Sequence, residues 1–230
     1  MSVNVNTVYQ RVLAITNKEQ RGYITPQEFN TMANQAQLDT FEQYFYDLNQ
    51  FARIPGNSTE YSDMLDILEE KISVFEVRDG TVNSGTDLPS DLYRLGNIYY
   101  NNILAEKISL KEWSYIKKSP LSYPTADFPI YVRYKDGNIN VNVYADATGS
   151  NKTTLVTCDY IRKPTSVSWA YDSTTGLYDA NNSVHFELHP SEETELVVKI
   201  LALSGVVLKD PQLYQVGSAE DAKNVQQEKA

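Results

Sequence analysis

The sequence predicts an α+β fold with an N-terminal helical hairpin or bundle, a central and mainly antiparallel β domain, and a C-terminal helix. Apolar residues recur at helical spacing through the first third of the chain, and from about Val74 the period changes from 3.6 to 2. After His189-Pro190 a helical run returns. The expected divisions are 1–75 for a helical subdomain, 76–190 for a β-rich domain with a short inserted helix, and 191–230 for a C-terminal helix and tail.

Each element has its own signal. In NTVYQRVLAIT, Val8, Val12 and Ile15 lie at i, i+4 and i+7, the face of a short amphipathic helix that Gly22 terminates. A long second helix follows, opened by Thr25 and Glu28 at capping-box spacing, with Pro26 at the first helical position, where a missing N–H costs nothing. Phe29, Ala33, Ala36, Phe41, Phe45, Leu48 and Ala52 form its apolar stripe until IPGNS ends it. A third helix is expected with Ser58 or Thr59 as cap and Tyr61, Leu65, Leu68 and Ile72 buried. In the β region, DLYRLGNIYYN alternates weakly, whereas PIYVRYKDGNINVNVYAD alternates clearly, with Asp136-Gly137 as a hairpin turn. TTLVTCDYIRKP supplies another strand, closed by Pro164, and Ser109 with Glu112 caps a short helix stopped by Pro120. The last helix is expected to start at Ser191, to bury Leu196, Ile200 and Leu203 beside Val197 and Leu201, and to stop at Gly205. The polar run from Ser218 to the end is expected to fray or to be ordered by a partner.

Charge and cysteine usage narrow the function classes. With 30 acidic against 20 basic residues and a formal net charge of −10, the chain is poorly suited to gripping nucleic acid, because phosphate binding rests on Lys and Arg. It can still surround DNA without holding it. Cys158 is the only cysteine, so no intrachain disulfide can form, and a reducing compartment is expected. The opening MSVNVNTVYQ lacks the basic and apolar regions of a secretory signal, and no apolar run approaches the ~18 residues of a membrane span. A protein that is neither exported nor membrane-bound is expected. The 17 tyrosines and 18 asparagines suit protein interfaces, and tyrosine suits strands as well.

Both histidines fall in one stretch, HFELH. On a strand, His185, Glu187 and His189 share a face at metal-ligand spacing, which raises a metalloenzyme reading. No third histidine or second cysteine completes such a site, and plain alternation, with Phe186 and Leu188 inward, explains the same spacing. The alternation reading is preferred, so no metal and no cofactor is expected. No Gly-rich phosphate loop is present; Asp146, Asp159, Asp172 and Asp179 read as loop and strand-edge carboxylates, and Cys158 as a small buried thiol. No catalytic residue is assigned. A monomeric ligand- or receptor-binding β module, using Trp169, Tyr171 and Tyr178, is the alternative to a structural role.

Four stretches carry a resemblance: NKEQRGYITPQEFNTMANQAQLDTFEQYFYDLNQF, DLPSDLYRLGNIYYNN, YIRKP and HFELHPSEETELVVKILALSGVVLKDPQLYQ. In this order, from about residue 8 to 216, they resemble neck proteins of tailed bacteriophages of the crAss-like type. The resemblance implies a virion structural protein: a head-to-tail connector or adaptor beside the portal, forming a homo-oligomeric ring of about twelve copies. It implies the portal and other neck or tail proteins as partners, with DNA passing without specific binding, and synthesis in the host bacterial cytoplasm. From the residues themselves, Val207, Leu208, Leu213, Tyr214 and Val216 are expected to form an interface, since they follow the last helix without an obvious partner; packing back on the sheet is the other option.

Overall fold

The computed structural model describes residues 2–16, 24–51, 64–82, 86–119, 121–136, 138–172, 174–207 and 211–228. In chain order the first elements are α1 (Val5–Thr16), α2 (Pro26–Phe51), α3 (Met64–Ser73), β1 (Glu76–Thr81), β2 (Leu92–Tyr100), β3 (Ile103–Leu104), β4 (Glu106–Ile108) and α4 (Leu110–Ile116). Then come β5 (Ile130–Asp136), β6 (Asn138–Tyr144), β7 (Val156–Arg162), a 3₁₀ turn (Pro190–Glu192), α5 (Glu193–Val207) and α6 (Pro211–Glu228). The expected α+β organisation is present. The chain divides into two compact units, residues 1–74 with 164–230, and residues 75–163.

The first unit is helical. Asn4 opens α1 by accepting the Asn6 N–H at 2.8 Å. The buried face of this helix is Val5, Val8, Tyr9, Val12 and Thr16, which turns Ile15 to its flank, where it is 44 % exposed rather than buried as expected. The α2 capping box forms as the spacing requires: Glu28 Oε2 accepts the Thr25 N–H at 2.9 Å, and Thr25 Oγ1 accepts the Glu28 N–H at 3.3 Å. Phe29, Ala33, Ala36 and Phe41 are fully buried along it; Ala52 and the expected cap and Tyr61 of α3 lie outside the described residues. Leu68 and Ile72 of α3 are buried as the stripe predicts. Each buried Phe or Leu contributes about 1.5–3 kcal/mol by leaving water.

Residues 164–190 belong with these helices, not with the strands among which composition places them. The cause is a ladder of side-chain amides on α2. Asn34 accepts from Val167 N at 2.8 Å and donates to Val167 O at 2.9 Å; Asn30 does the same for Trp169, at 2.8 and 3.3 Å. Gln37 donates to Thr165 O at 2.8 Å and accepts from Glu187 N at 3.3 Å. Spaced i, i+4 and i+7, these amides present a strand-like edge from a helix, so an extended segment docks on α2 by one edge while Ser168 pairs with Val184 on the other.

The C-terminal helices also depart from expectation. His189, not Ser191, caps the turn at Pro190: its Nδ1 accepts the Ser191 N–H at 3.3 Å, and α5 begins after the turn. Gly205 does not end α5, which continues to Val207. A Cβ there would lie 2.6 Å from Tyr214 N, and one at Gly217 would lie 2.8 Å from Ala202 Cα. These two glycines let α5 and α6 approach backbone to backbone. The run after Ser218, expected to fray, is α6 to Glu228.

The second unit is built from strands. One sheet has the order β1-β7-β2-β3 and the other β4-β5-β6, antiparallel except for the parallel pair β4/β5. Val82, Ile98, Tyr131, Val141, Val143, Val156 and Cys158 join both sheets in one core. Period-2 alternation sends the neighbouring residues of β5, Ile130 and Val132, to the opposite face, where α4 covers them with Trp113. Trp113 stacks on Tyr144 with ring centroids 4.0 Å apart. The α4 capping box of Ser109 and Glu112 is formed, and Asp136 pairs with Asn138 across the expected β5–β6 turn.

Candidate functional site

Each member of the HFELH face has a structural task. Phe186 and Leu188 are fully buried, as alternation requires. His185 Nδ1 accepts the Val5 N–H at 3.3 Å, and Glu187 accepts from Thr165 N at 2.8 Å and Thr165 Oγ1 at 3.0 Å. With His189 in the Pro190 turn, the three side chains tie α1, the 165–169 segment and the start of α5 to one strand-like run. Among the described residues no group of three His, Cys, Asp or Glu is arranged to hold a metal ion.

The remaining candidates for chemistry are held in local hydrogen bonds. Asp146 takes Lys152 and the Thr148 hydroxyl, and these hold its carboxyl below the usual range. Asp159 accepts from Tyr99 Oη at 2.9 Å and Asp79 N at 3.2 Å. Asp172 accepts the Thr174 N–H at 2.7 Å, which lowers its pKa, and Asp179 is lowered first by the Asn182 side-chain amide at 2.6 Å and then by the Asn181 N–H at 2.9 Å, each carboxylate closing a turn. Burial pushes the Cys158 thiol up to about 11, with the Asp159 and Asp91 charges adding to it, so it stays protonated at neutral pH.

One buried ionic group was not foreseen. Glu192 and Glu195 face each other inside the helical unit, with Lys71 Nζ 2.7 Å from Glu192 and Lys199 Nζ 2.6 Å from Glu195. Lys199 also reaches Thr40 Oγ1 and Gln43 Oε1, both at 3.1 Å. Burial, opposed by Lys199 and reinforced by the Glu192 charge, pushes Glu195 up to about 7. The sequence showed three glutamates at a helix start but not that α2 and α3 bring lysine and amide partners over them.

The surface offers contact more than enclosure. An open groove of about 860 Å³ runs over the outer face of β1, β7 and β2, with Arg78, Arg94, Asn97, Tyr99 and Asp159 among its walls. A smaller one of about 530 Å³ lies beside Tyr171, Tyr178, Asp172, Asp179 and Asn182. Of the three aromatics expected to face a ligand, only Tyr171 is well exposed, at 53 %. Trp169 is buried because Tyr9 packs 4.4 Å from its ring centre and its indole N–H bonds Asn6 Oδ1 at 3.1 Å; Tyr178 is half-buried.

Of the expected interface residues, Val207 ends α5, Leu208 lies outside the described residues, and Leu213, Tyr214 and Val216 lie on α6. The segment has an intrachain partner after all, α5, rather than the sheet. The Tyr214 and Val216 side chains still point to solvent, 48 % and 63 % exposed. A larger exposed apolar set was missed: Leu110, Tyr115, Leu121 and Phe128 in the second unit, 65 %, 66 %, 99 % and 79 % exposed. Tyr115 and Phe128 line a groove of about 420 Å³ with Ile108, Ile116 and Tyr123. The signal was present in the capped helix 110–116, where Trp113 is buried with Ile116 packed beside it, and Leu110 and Tyr115 turn outward.

Among the described residues no helix is long and apolar enough to cross a membrane. No protein-family model matches the chain, and no curated protein matches it.

Proposed function

We propose that the chain is a non-enzymatic virion protein that forms a closed ring at the portal–tail junction of a tailed bacteriophage and gives the genome a passage. The observation that carries this reading is the presence of apolar side chains exposed on both units, with Tyr214 and Val216 on the helical one and Leu110, Tyr115, Leu121 and Phe128 on the other. Exposed apolar sets mark contact surfaces, and a ring of identical subunits needs two different ones, because each copy meets its left and right neighbours through unlike faces. The resemblance to crAss-like phage neck proteins supplies the place, and the net charge of −10 suits a wall that DNA slides past. The portal and adjoining neck or tail proteins are the further partners on this reading. Quantitative mass spectrometry of gradient-purified virions tests it. The expected result is the chain at about the portal's copy number, on the order of twelve per particle. Its absence from virions would overturn the reading.

A second reading is favoured by the groove beside Tyr171 and Tyr178, where an exposed aromatic ring stands next to two carboxylates and an amide. This is the alternative of a monomeric ligand-binding module. It requires a chain that stays monomeric in virions' absence and presence alike, and whose ligand binding is lost in Tyr171→Ala.

A further inference from the structure

The long helix α2 has an exposed stripe that runs nearly its whole length, about 39 Å for 26 residues. Leu38, Asp39, Glu42 and Tyr46 lie on it, all exposed, with Leu38 at 41 % and Tyr46 at 63 %, while Glu28 on the same side is engaged by Thr25 in the capping box. At 3.6 residues per turn these positions fall within one side of the helix, opposite Phe29, Ala33, Ala36 and Phe41. The stripe combines apolar knobs with carboxylates, and α2 contains no Lys or Arg anywhere along its length.

The other unit carries a surface of the opposite sign. On α4 and the turn that ends it, Leu110 and Tyr115 are exposed beside Lys111, Lys117 and Lys118. The one carboxylate there, Glu112, is engaged by the Ser109 N–H at 2.7 Å as part of the capping box. Three cations and two apolar knobs therefore face solvent on one short helix, against carboxylates and two apolar knobs on a long one.

We infer that the α2 stripe of one copy docks on the α4 surface of a second copy, with Leu38 and Tyr46 meeting Leu110 and Tyr115 and with Asp39 and Glu42 meeting Lys111, Lys117 and Lys118. This rests on the ring reading and names the two unlike faces that such a ring needs. Opposite charges flanking apolar contacts set the register and exclude the like-with-like pairings, because two α2 stripes or two α4 surfaces repel. The contact joins two unlike faces, so it can repeat from copy to copy around a ring.

The test uses the full chain, half of it labelled with ¹⁵N, joined by a zero-length carbodiimide cross-link and read by mass spectrometry. The expected cross-links run from Asp39 or Glu42 to Lys111, Lys117 or Lys118 and pair light with heavy chains. Two charge-reversed chains sharpen it: Asp39→Lys with Glu42→Lys, and Lys111→Glu with Lys118→Glu, each checked for an unchanged circular dichroism melt. Each alone is expected to self-associate roughly tenfold more weakly than the wild type in sedimentation, because both of its faces then carry one sign. Mixed together they are expected to recover association, since the reversed α2 stripe of one variant matches the reversed α4 surface of the other, and their two unaltered faces match as well. The inference is overturned if the cross-links join only chains of one isotope, if the reversed chains associate as the wild type does, or if the wild type stays monomeric under cross-linking conditions. Association that persists through other residues sinks this interface and leaves the ring itself standing, which virion content decides separately.

Discussion

The two units solve the same backbone problem by opposite means. Within 75–163 the strands satisfy one another's N–H and C=O groups, so the space between the sheets can be filled with Val82, Ile98, Val141, Val143 and Val156. In the helical unit the 165–169 segment has no strand ladder on its α2 side, and the amides of Asn30, Asn34 and Gln37 take that place. Such side chains are costly to bury unless every bond is made, and here a single ladder meets two residues' N–H and C=O groups. The comparison explains a composition that looked like an interface signature. Part of the asparagine excess serves the inside of the molecule, while apolar residues are exposed on both units.

The two tryptophans allow the comparison to be broken unit by unit, since Trp169 lies in the helical unit and Trp113 in the other. The largest effect is expected from Phe186→Ala, which empties a fully buried site. It should cost about 3–5 kcal/mol, read by denaturant unfolding of Trp169 fluorescence in a Trp113→Phe background. A loss under 1 kcal/mol would remove the HFELH run from the core.

Asn34→Ala should follow, at about 1–3 kcal/mol, because it strands both the N–H and the C=O of Val167. The matching change in the sheet unit, Asn97→Ala, removes a single 3.4 Å bond between exposed groups and should cost little. Equal losses at the two sites would show that the amide ladder is no more essential than an exposed surface bond.

Thr25→Ala is expected to cost about 0.5–2 kcal/mol through the α2 cap. A melting temperature unchanged by it would contradict the capping assignment.

The pH response sharpens the comparison further. Glu195, raised to about 7 by burial and then by Glu192, binds its proton more tightly in the folded chain than in the unfolded one. Its contribution to stability is therefore full below the ordinary glutamate range and is lost as pH rises towards about 7. Glu192 runs the other way: burial raises it, but Lys71 and the hydrogen bonds from Glu195 and Ser191 together hold it low, so its contribution is lost on acidification. Glu195→Gln should flatten the decline of melting temperature between about pH 5 and 7, and an unaltered pH profile would show that the pair does not share a proton.

Much of this was legible where local chemistry decides. Thr25-Pro26 with Glu28 and Ser109 with Glu112 cap as their spacing dictates, and the alternation of Val141 and Val143 gives β6 and its inner face. What could not be read depends on residues far away in sequence. The docking of 165–169 requires amides more than 120 positions earlier, as Asn34 and Val167 show with a separation of 133. Gly205 looked like a helix stop because the sequence does not reveal α6 lying against it. Of the contact surfaces, Tyr214 and Val216 were found by hydropathy alone, whereas the α4 surface needed the knowledge that Trp113 faces inward.

Symmetry-averaged cryo-electron images of the virion neck test the central claim most directly. The account predicts a closed ring of about twelve copies next to the portal. Its density should accept the helical unit and the two-sheet unit, with α2 of each copy against α4 of the next. A neck whose densities accommodate neither unit, or that lacks any ring this chain fits, would contradict it.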